Sequence, residues 1–183
     1  MIDSGNLNIV DETGKIVGEE TRENIHKKGI LHREVHVWFY TLDGRIIFQH
    51  RAKNKDTFPD ALDATAGGHV DLGMEWLDSA VREVKEETGI SANPTNLKYI
   101  TTVKSKAFDP ATNNINNVIR KIYAYLYDGN ITDLKGDPDE VKDFEWWDID
   151  TVLNKNTDRN RIIPALLDAD SLEIYRKIKR LIK

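Results

Sequence analysis

The sequence predicts an α+β fold built on a mixed β-sheet, with an N-terminal hairpin and a C-terminal helix. Three observations predict it. Strand-like segments outnumber helical ones along the 183 residues. They do not alternate with helices in the regular order of βαβ units, which argues for a mixed sheet. One strongly periodic helix with a C-terminal glycine cap stands near the middle of the chain.

The elements follow in order. Leu7–Asp11 and Lys15–Val17 flank the turn-like Glu12-Thr13-Gly14 and read as the hairpin. Glu34–Tyr40 and Arg45–Arg51 are strands joined by Leu42-Asp43-Gly44, whose Asp-Gly pair suits a tight turn. Thr65–Asp71 contains Gly67-Gly68, where the backbone can take conformations closed to other residues. Trp76–Thr88 is the clearest helix, with Leu77, Val81, Val84 and Thr88 on one stripe and Gly89 at the cap position. Tyr99–Lys104, Asn117–Tyr127 and Phe144–Trp147 are further strands. From Ser171 a closing amphipathic helix places Leu172, Tyr175, Ile178 and Leu181 on one face.

Composition narrows the function. Apolar residues make up 39% and charged residues 31%, a globular balance. The net charge of −5 argues against general nucleic-acid or anionic-membrane binding, which needs a basic surface. No apolar run reaches membrane-spanning length, and the polar stretch Met1–Asn8 has no signal-peptide core, so a cytoplasmic location is expected. The chain has no cysteine, which removes disulfides, thiolate metal sites and cysteine nucleophiles.

On the central helix Glu83, Glu86 and Glu87 are spaced i, i+3 and i+4, within an arc of about 100° and opposite the apolar stripe. Two like charges ~6 Å apart repel by about 0.7 kcal/mol in water and about 3 kcal/mol at an effective dielectric of 20. A divalent cation reverses that sign, and hard oxygen ligands suit Mg²⁺ or Mn²⁺. A solvated acidic face, balanced by Arg82 and Lys85, is the other reading of the same residues.

The stretch from Gly68 to Ile90 resembles the signature of the Nudix hydrolases: Gly, five residues, Glu, seven residues, then Arg-Glu-apolar-x-Glu-Glu-x-Gly-apolar. Gly68, Arg82, Glu83, Val84, Glu86, Glu87, Gly89 and Ile90 match; Met74 stands where the first Glu belongs, with Glu75 one residue late. The resemblance implies a Nudix-like mixed sheet between helices, and a single domain over 1–183. Within it, 1–30 form the hairpin extension, 31–155 the core with its signature at 68–90, and 156–183 a helical tail. It also implies Mg²⁺ or Mn²⁺ held by Glu83, Glu86, Glu87 and Gly68, with Glu86 and Arg82 in the catalytic set. Met74 cannot accept a salt bridge from Arg82; Met74→Glu is expected to raise turnover if position 74 faces Arg82.

Beyond the signature, Arg22-Glu23-Asn24-Ile25-His26, the run from Gly29 to Trp38 and Gln49–Lys55 resemble the Nudix branch related to type I isopentenyl-diphosphate isomerase. In that branch residues matching Arg51 and Lys55 bind substrate phosphate oxygens; a solvated basic turn is the other reading. Isomerase chemistry itself is not expected, because it needs a cysteine, and its strand glutamates fall at Asn116 and Val118. His69 matches an isomerase metal ligand without those companions and is read as structural. His26, His32 and His36 are read as packing or hydrogen-bonding residues, with no fourth zinc ligand evident.

A further carboxylate to position water is expected from Asp137-Pro138-Asp139-Glu140, with Glu140 the choice and Asp109 a weaker candidate. Phe108, Trp38 and Trp147 are read as core residues, with stacking on a base as the alternative. The expected activity is metal-dependent hydrolysis of a nucleoside diphosphate derivative or another small organic diphosphate. A non-catalytic diphosphate-binding module, suggested by Met74, is the alternative, and a homodimer is compatible with the sequence.

Overall fold

The computed structural model describes residues 5–55 and 57–182. The start of the polar N-terminal stretch and the last residue of the tail lie outside the described residues. The elements run β1 (Asn6–Val10), β2 (Ile16–Thr21), α1 (Arg22–Lys28), β3 (His32–Tyr40), β4 (Arg45–Arg51), β5 (Leu62–Asp63) and β6 (Ala66–His69), then α2 (Trp76–Thr88), β7 (Leu97–Asp109), β8 (Asn114–Leu126), β9 (Val141–Asp148), α3 (Ile149–Leu153) and α4 (Ala169–Lys179).

The sheet is mixed and α+β, as expected, and β3 is its hub. It pairs antiparallel with β1, β4 and β6 and parallel with β8 along its whole length, His32 opposite Val118 through Tyr40 opposite Leu126. β9 extends the sheet beyond β4, and β7 beyond β8. Alternation along β3 sends its side chains to opposite faces. Val35, Val37 and Phe39 pack with Trp76, Ala80 and Val84 of α2. Trp38 and Tyr40 pack with Ile149 and Val152 of α3 and Leu172, Tyr175 and Ile178 of α4. Trp38 meets Tyr175 edge-on, ring centroids 5.1 Å apart, so it is core, as read from the sequence.

β4 and α2 keep the expected limits, and the N-terminal hairpin, the β3–β4 turn and α4 form where expected. α1 and α3 were not expected. α1 has seven residues and buries only Ile25, too little for a periodic stripe; Thr21 caps its start and Gly29, in the left-handed region at φ 63°, ends it. β7 and β8 are longer than expected and form one hairpin, whose polar distal half carries no apolar alternation. Phe108, read as core, is exposed near its tip.

Two corrections concern the site. Neither Gly67 nor Gly68 has positive φ, so these glycines do not supply an unusual backbone conformation. And α2 buries Trp76, Ala80, Glu83, Val84 and Glu87 together, so Glu83 and Glu87 lie on the packed face and not opposite it. The expected stripe residues Leu77 and Val81 sit at its edge, half-buried.

The segment after β8 is bound to the C-terminal end of α2. Lys135 N–H donates to Thr88 O at 2.9 Å, and Asp137 N–H to Glu86 O at 3.2 Å. A Cβ on Gly136 would lie 2.2 Å from Glu87 O. Gly136→Ala is therefore expected to destabilise the fold by about 1–3 kcal/mol, as overpacking does; a urea midpoint equal to wild type would show that this docking is not constrained.

Candidate functional site

α2 leans its carboxylates over the β6 backbone, and the absence of side chains there makes room. A Cβ on Gly68 would stand 2.5 Å from Glu83 Oε1, and one on Gly67 would stand 2.6 Å from the His36 ring on the opposite face. Gly67 N–H and Gln49 Nε2 both donate to Glu87 Oε2 at 2.9 Å. The glycine pair is a close-approach device, which the sequence flagged by position and for the wrong physical reason.

Electrostatics set this region apart. Burial is the first cause pushing the Glu83 carboxyl up to about 7; Glu86, Asp71 and Glu140 push the same way, while Arg82 opposes. Glu87 is pushed well above the usual carboxylate range by burial and then by Glu83, against the hydrogen bonds from Gly67 and Gln49. Glu86 stays exposed. Buried like charges of this kind are what a bound divalent cation compensates, and the all-oxygen donor set suits a hard ion.

Arg82 is the cation inside the acidic group. Its Nη2 reaches Glu83 Oε1 at 2.7 Å, Asp71 Oδ2 at 3.1 Å and the His69 carbonyl at 3.2 Å, and its Nη1 reaches Glu86 Oε2 at 3.1 Å. Met74 is half-buried against the apolar cluster beneath α2. Asp71, which sequence reasoning did not single out, supplies Arg82 with a carboxylate from the same loop. Only its place three residues before Met74 could have suggested it. The loop is held from outside by a bridge between Leu7 of β1 and Asp71.

Of the remaining predicted residues, Glu140 borders the acids and adds to the upward push on Glu83, while the Arg51 fork is committed to Asp63 and Thr57. Glu140 forms an ion pair with Lys55, and its backbone carbonyl accepts from Ala52 N–H at 3.0 Å. Arg51 holds Asp63 Oδ2 at 3.0 Å and the Thr57 carbonyl at 3.0 Å. Asp109 does not border the acids; its carboxylate caps the β7–β8 turn through Ala111 N–H and Thr112 Oγ1.

The histidines do not stay apart. His26, His32 and His69 form one cluster, while His36 lies elsewhere on the same face, near Arg120 and Arg51. Burial lowers His32 and, first among its causes, takes His69 down to about 3. The sequence hid this grouping because its members come from α1, β3 and β6.

Comparison with known proteins agrees with the geometry. The profile of the NUDIX domain family matches residues 30–166. An uncharacterized Nudix hydrolase of Clostridium acetobutylicum is 35% identical over 138 residues, covering 74% of this chain and 66% of the relative. Another, of Streptomyces coelicolor, is 39% identical over 88 residues, covering 48% of this chain and 49% of the relative. The chain thus spans between about half and two thirds of these relatives. Among solved structures, DR0079 from Deinococcus radiodurans superposes with a TM-score of 0.66 at 21% identity, covering 94% of this chain and 98% of that one. The NUDIX domain of Shewanella oneidensis NrtR, crystallised with ADP ribose, gives 0.55 at 14% identity, covering 84% and 88%. These likenesses are to the fold.

The raised Glu83 carboxyl has a consequence for stability. Between pH 4.5 and about 7 the folded chain keeps a proton on Glu83 that the unfolded chain has released, so stability falls as pH rises through that window. The shift corresponds to roughly 3 kcal/mol, and Glu87 adds in the same direction. In chelator, the urea midpoint should fall between about pH 5 and pH 7.5, and Glu83→Gln should flatten the fall. Parallel slopes for the two proteins would refute the assignment.

Proposed function

The chain belongs to the NUDIX family, and from that premise we propose that it is a divalent-metal-dependent hydrolase of a small organic diphosphate, a nucleoside diphosphate derivative first among them. The observation that carries this reading is the pair of buried carboxyls, Glu83 and Glu87, set against side-chain-free backbone at Gly67-Gly68. Burying two such groups together is costly, and a divalent cation between them would offset that cost beyond what the donors and Arg82 supply.

Glu83, Glu86 and Glu87, with the Gly68 backbone, would hold Mg²⁺ or Mn²⁺. The space that a Cβ at Gly68 would fill, and the donor set of oxygens alone, fit such an ion. When bound, the metal would neutralise phosphate charge and lower the pKa of a water. Arg82 has a positioning role, with its fork shared among Glu83, Glu86 and Asp71. Arg51 and Lys55 supply the bidentate and point-charge partners for phosphate oxygens. An arriving diphosphate would compete with Glu140 for Lys55, releasing the Glu140 carboxylate beside the acids. In the reaction a water oxygen bonds to phosphorus, the phosphorus–oxygen bond of the diphosphate breaks, and the water proton passes to a carboxylate base, Glu140 or an acid of α2.

Within the family, the chain fits beside the branch related to type I isopentenyl-diphosphate isomerase, on the segments that resemble it and without the isomerase's cysteine. The reading as a binding module without turnover rested on Met74. Asp71 supplies Arg82 with a carboxylate, so the methionine does not by itself argue against catalysis.

Phosphate release from a panel of nucleotide and isoprenoid diphosphates, with Mg²⁺ or Mn²⁺, tests this reading. Glu86→Gln should cost roughly 10²-fold or more in turnover. Asp71→Asn should cost about 10–100-fold, as loss of a supporting partner does. Diphosphate binding without turnover on any compound would instead favour the binding module.

A further inference from the structure

On the face of the sheet opposite α2, a cleft of about 470 Å³, part of it open to solvent, lies between β3, β7, β8 and the start of α4. His36, Trp38, Ser105 and Arg120 line it from the sheet, Asp170 and Ile174 from the helix. His36 and Trp38 stand two residues apart on β3 and so share this face. Among the described residues no hydrogen bond holds the His36 ring, the Trp38 indole N–H or the Ser105 hydroxyl. Trp38 is only 1% exposed, and a buried indole N–H ordinarily has a partner. Three groups lining the cleft thus have hydrogen-bonding capacity unused.

The cleft adjoins the carboxylate site. A Cβ on Gly67 would stand 2.6 Å from the His36 ring, and the Gly67 N–H donates to Glu87 Oε2, so one residue of backbone separates the two. The Arg51–Asp63 ion pair lies beside both: its charges act on His36, and Asp63 acts also on Glu87 and on Tyr175, another residue of the cleft. The organic part of a diphosphate bound at Arg51 has this cleft within reach.

The lining decides what fits. Its cations are already matched, Arg120 with Glu34 and Lys104 with Glu12, so a further anionic group would meet Asp170 without a free cation among the described residues of the cleft. An apolar chain would shut water away from His36, Trp38 and Ser105 and leave them unpaired, which costs more than a hydrogen bond gains. Burial and then Arg120 lower the His36 imidazole to about 4, so at neutral pH it offers one donor and one acceptor. Hydroxyl groups, which both donate and accept, satisfy the whole set. We propose that His36 and Trp38, with Ser105, select the organic part of the diphosphate: a neutral, polyhydroxylated group such as a ribosyl or hexosyl unit, in preference to an isoprenyl chain. The inference rests on the hydrolase reading for the diphosphate and adds the residues that choose what it carries.

Affinity tests this without turnover. Calorimetry on the full chain, with Ca²⁺ as the divalent ion, compares ADP ribose, which carries a ribosyl group on each phosphate, with geranyl diphosphate, which carries an apolar chain. ADP ribose should bind at least about tenfold more tightly, the worth of one net hydrogen bond. Trp38→Phe, which removes the N–H and keeps an aromatic ring, and His36→Leu should each lower ADP ribose affinity about 3–10-fold and leave that for geranyl diphosphate unchanged or raised. His36→Gln, which restores a donor and an acceptor, should recover part of the loss. Phosphate release in Mg²⁺ tests the hydrolase reading separately: a chain that shows this preference and turns nothing over would refute that reading and support this one. Geranyl diphosphate bound as tightly as ADP ribose, neither compound bound, a preference that survives both variants, or variants that weaken both ligands equally would overturn the proposal.

Discussion

The structure turns on the burial of two carboxyls, Glu83 and Glu87, against a stretch of backbone that carries no side chain. Each is more than nine-tenths shielded from water, and Glu83 raises the pKa of Glu87. Such a pair needs protons, hydrogen-bond donors or a cation. The fold provides the donors at Glu87 through Gly67 and Gln49, and a guanidinium at Glu83 through Arg82. Glu86 and Glu140 border the pair and push Glu83 further up, a strain that a hard cation would relieve.

That arrangement holds only if α2 stays fixed relative to β6, and much of the molecule contributes to this. Val84 and Ala80 seat the helix on Val35, Val37 and Phe39. Lys135, Gly136 and Asp137 close over its C-terminal end. The N-terminal extension acts from the other side: β1 bridges to the loop that holds Asp71, and α1 delivers His26 to His69. Residues 5–30 therefore support the Arg82 side of the site from two directions.

Much of this was legible in the sequence, because the central helix follows a strict pattern. Periodicity and the Gly89 cap located α2, and the spacing of Glu83, Glu86 and Glu87 marked its acidic cluster. The burial of two of those acids was not legible. Helical geometry places Glu83 beside Ala80 and Val84, and only the absent side chains at Gly67 and Gly68 decide that charged groups share the packed face. Asp71 and the histidine cluster escaped for another reason. Both are tertiary groupings, assembled by strand register from residues tens of positions apart, and local pattern does not record them. α1 escaped because seven residues with one buried position produce no period.

Alternation along β6 explains how two groups of opposite character, carboxyls and imidazoles, can adjoin. Successive residues of a strand point to opposite faces. Gly67 faces His36, Gly68 faces Glu83, and His69 returns to the face where His32 stacks on it. One step along β6 thus leads from the carboxyls beneath α2 to a histidine group beside the Glu34 carboxylate, with the sheet between them. A shift of register by one residue at β6 would exchange the faces and remove Gly68 from beneath Glu83. The pairing of Gly67 with His36 and of His69 with Glu34 is therefore the constraint on which the close approach of Glu83 to Gly68 depends.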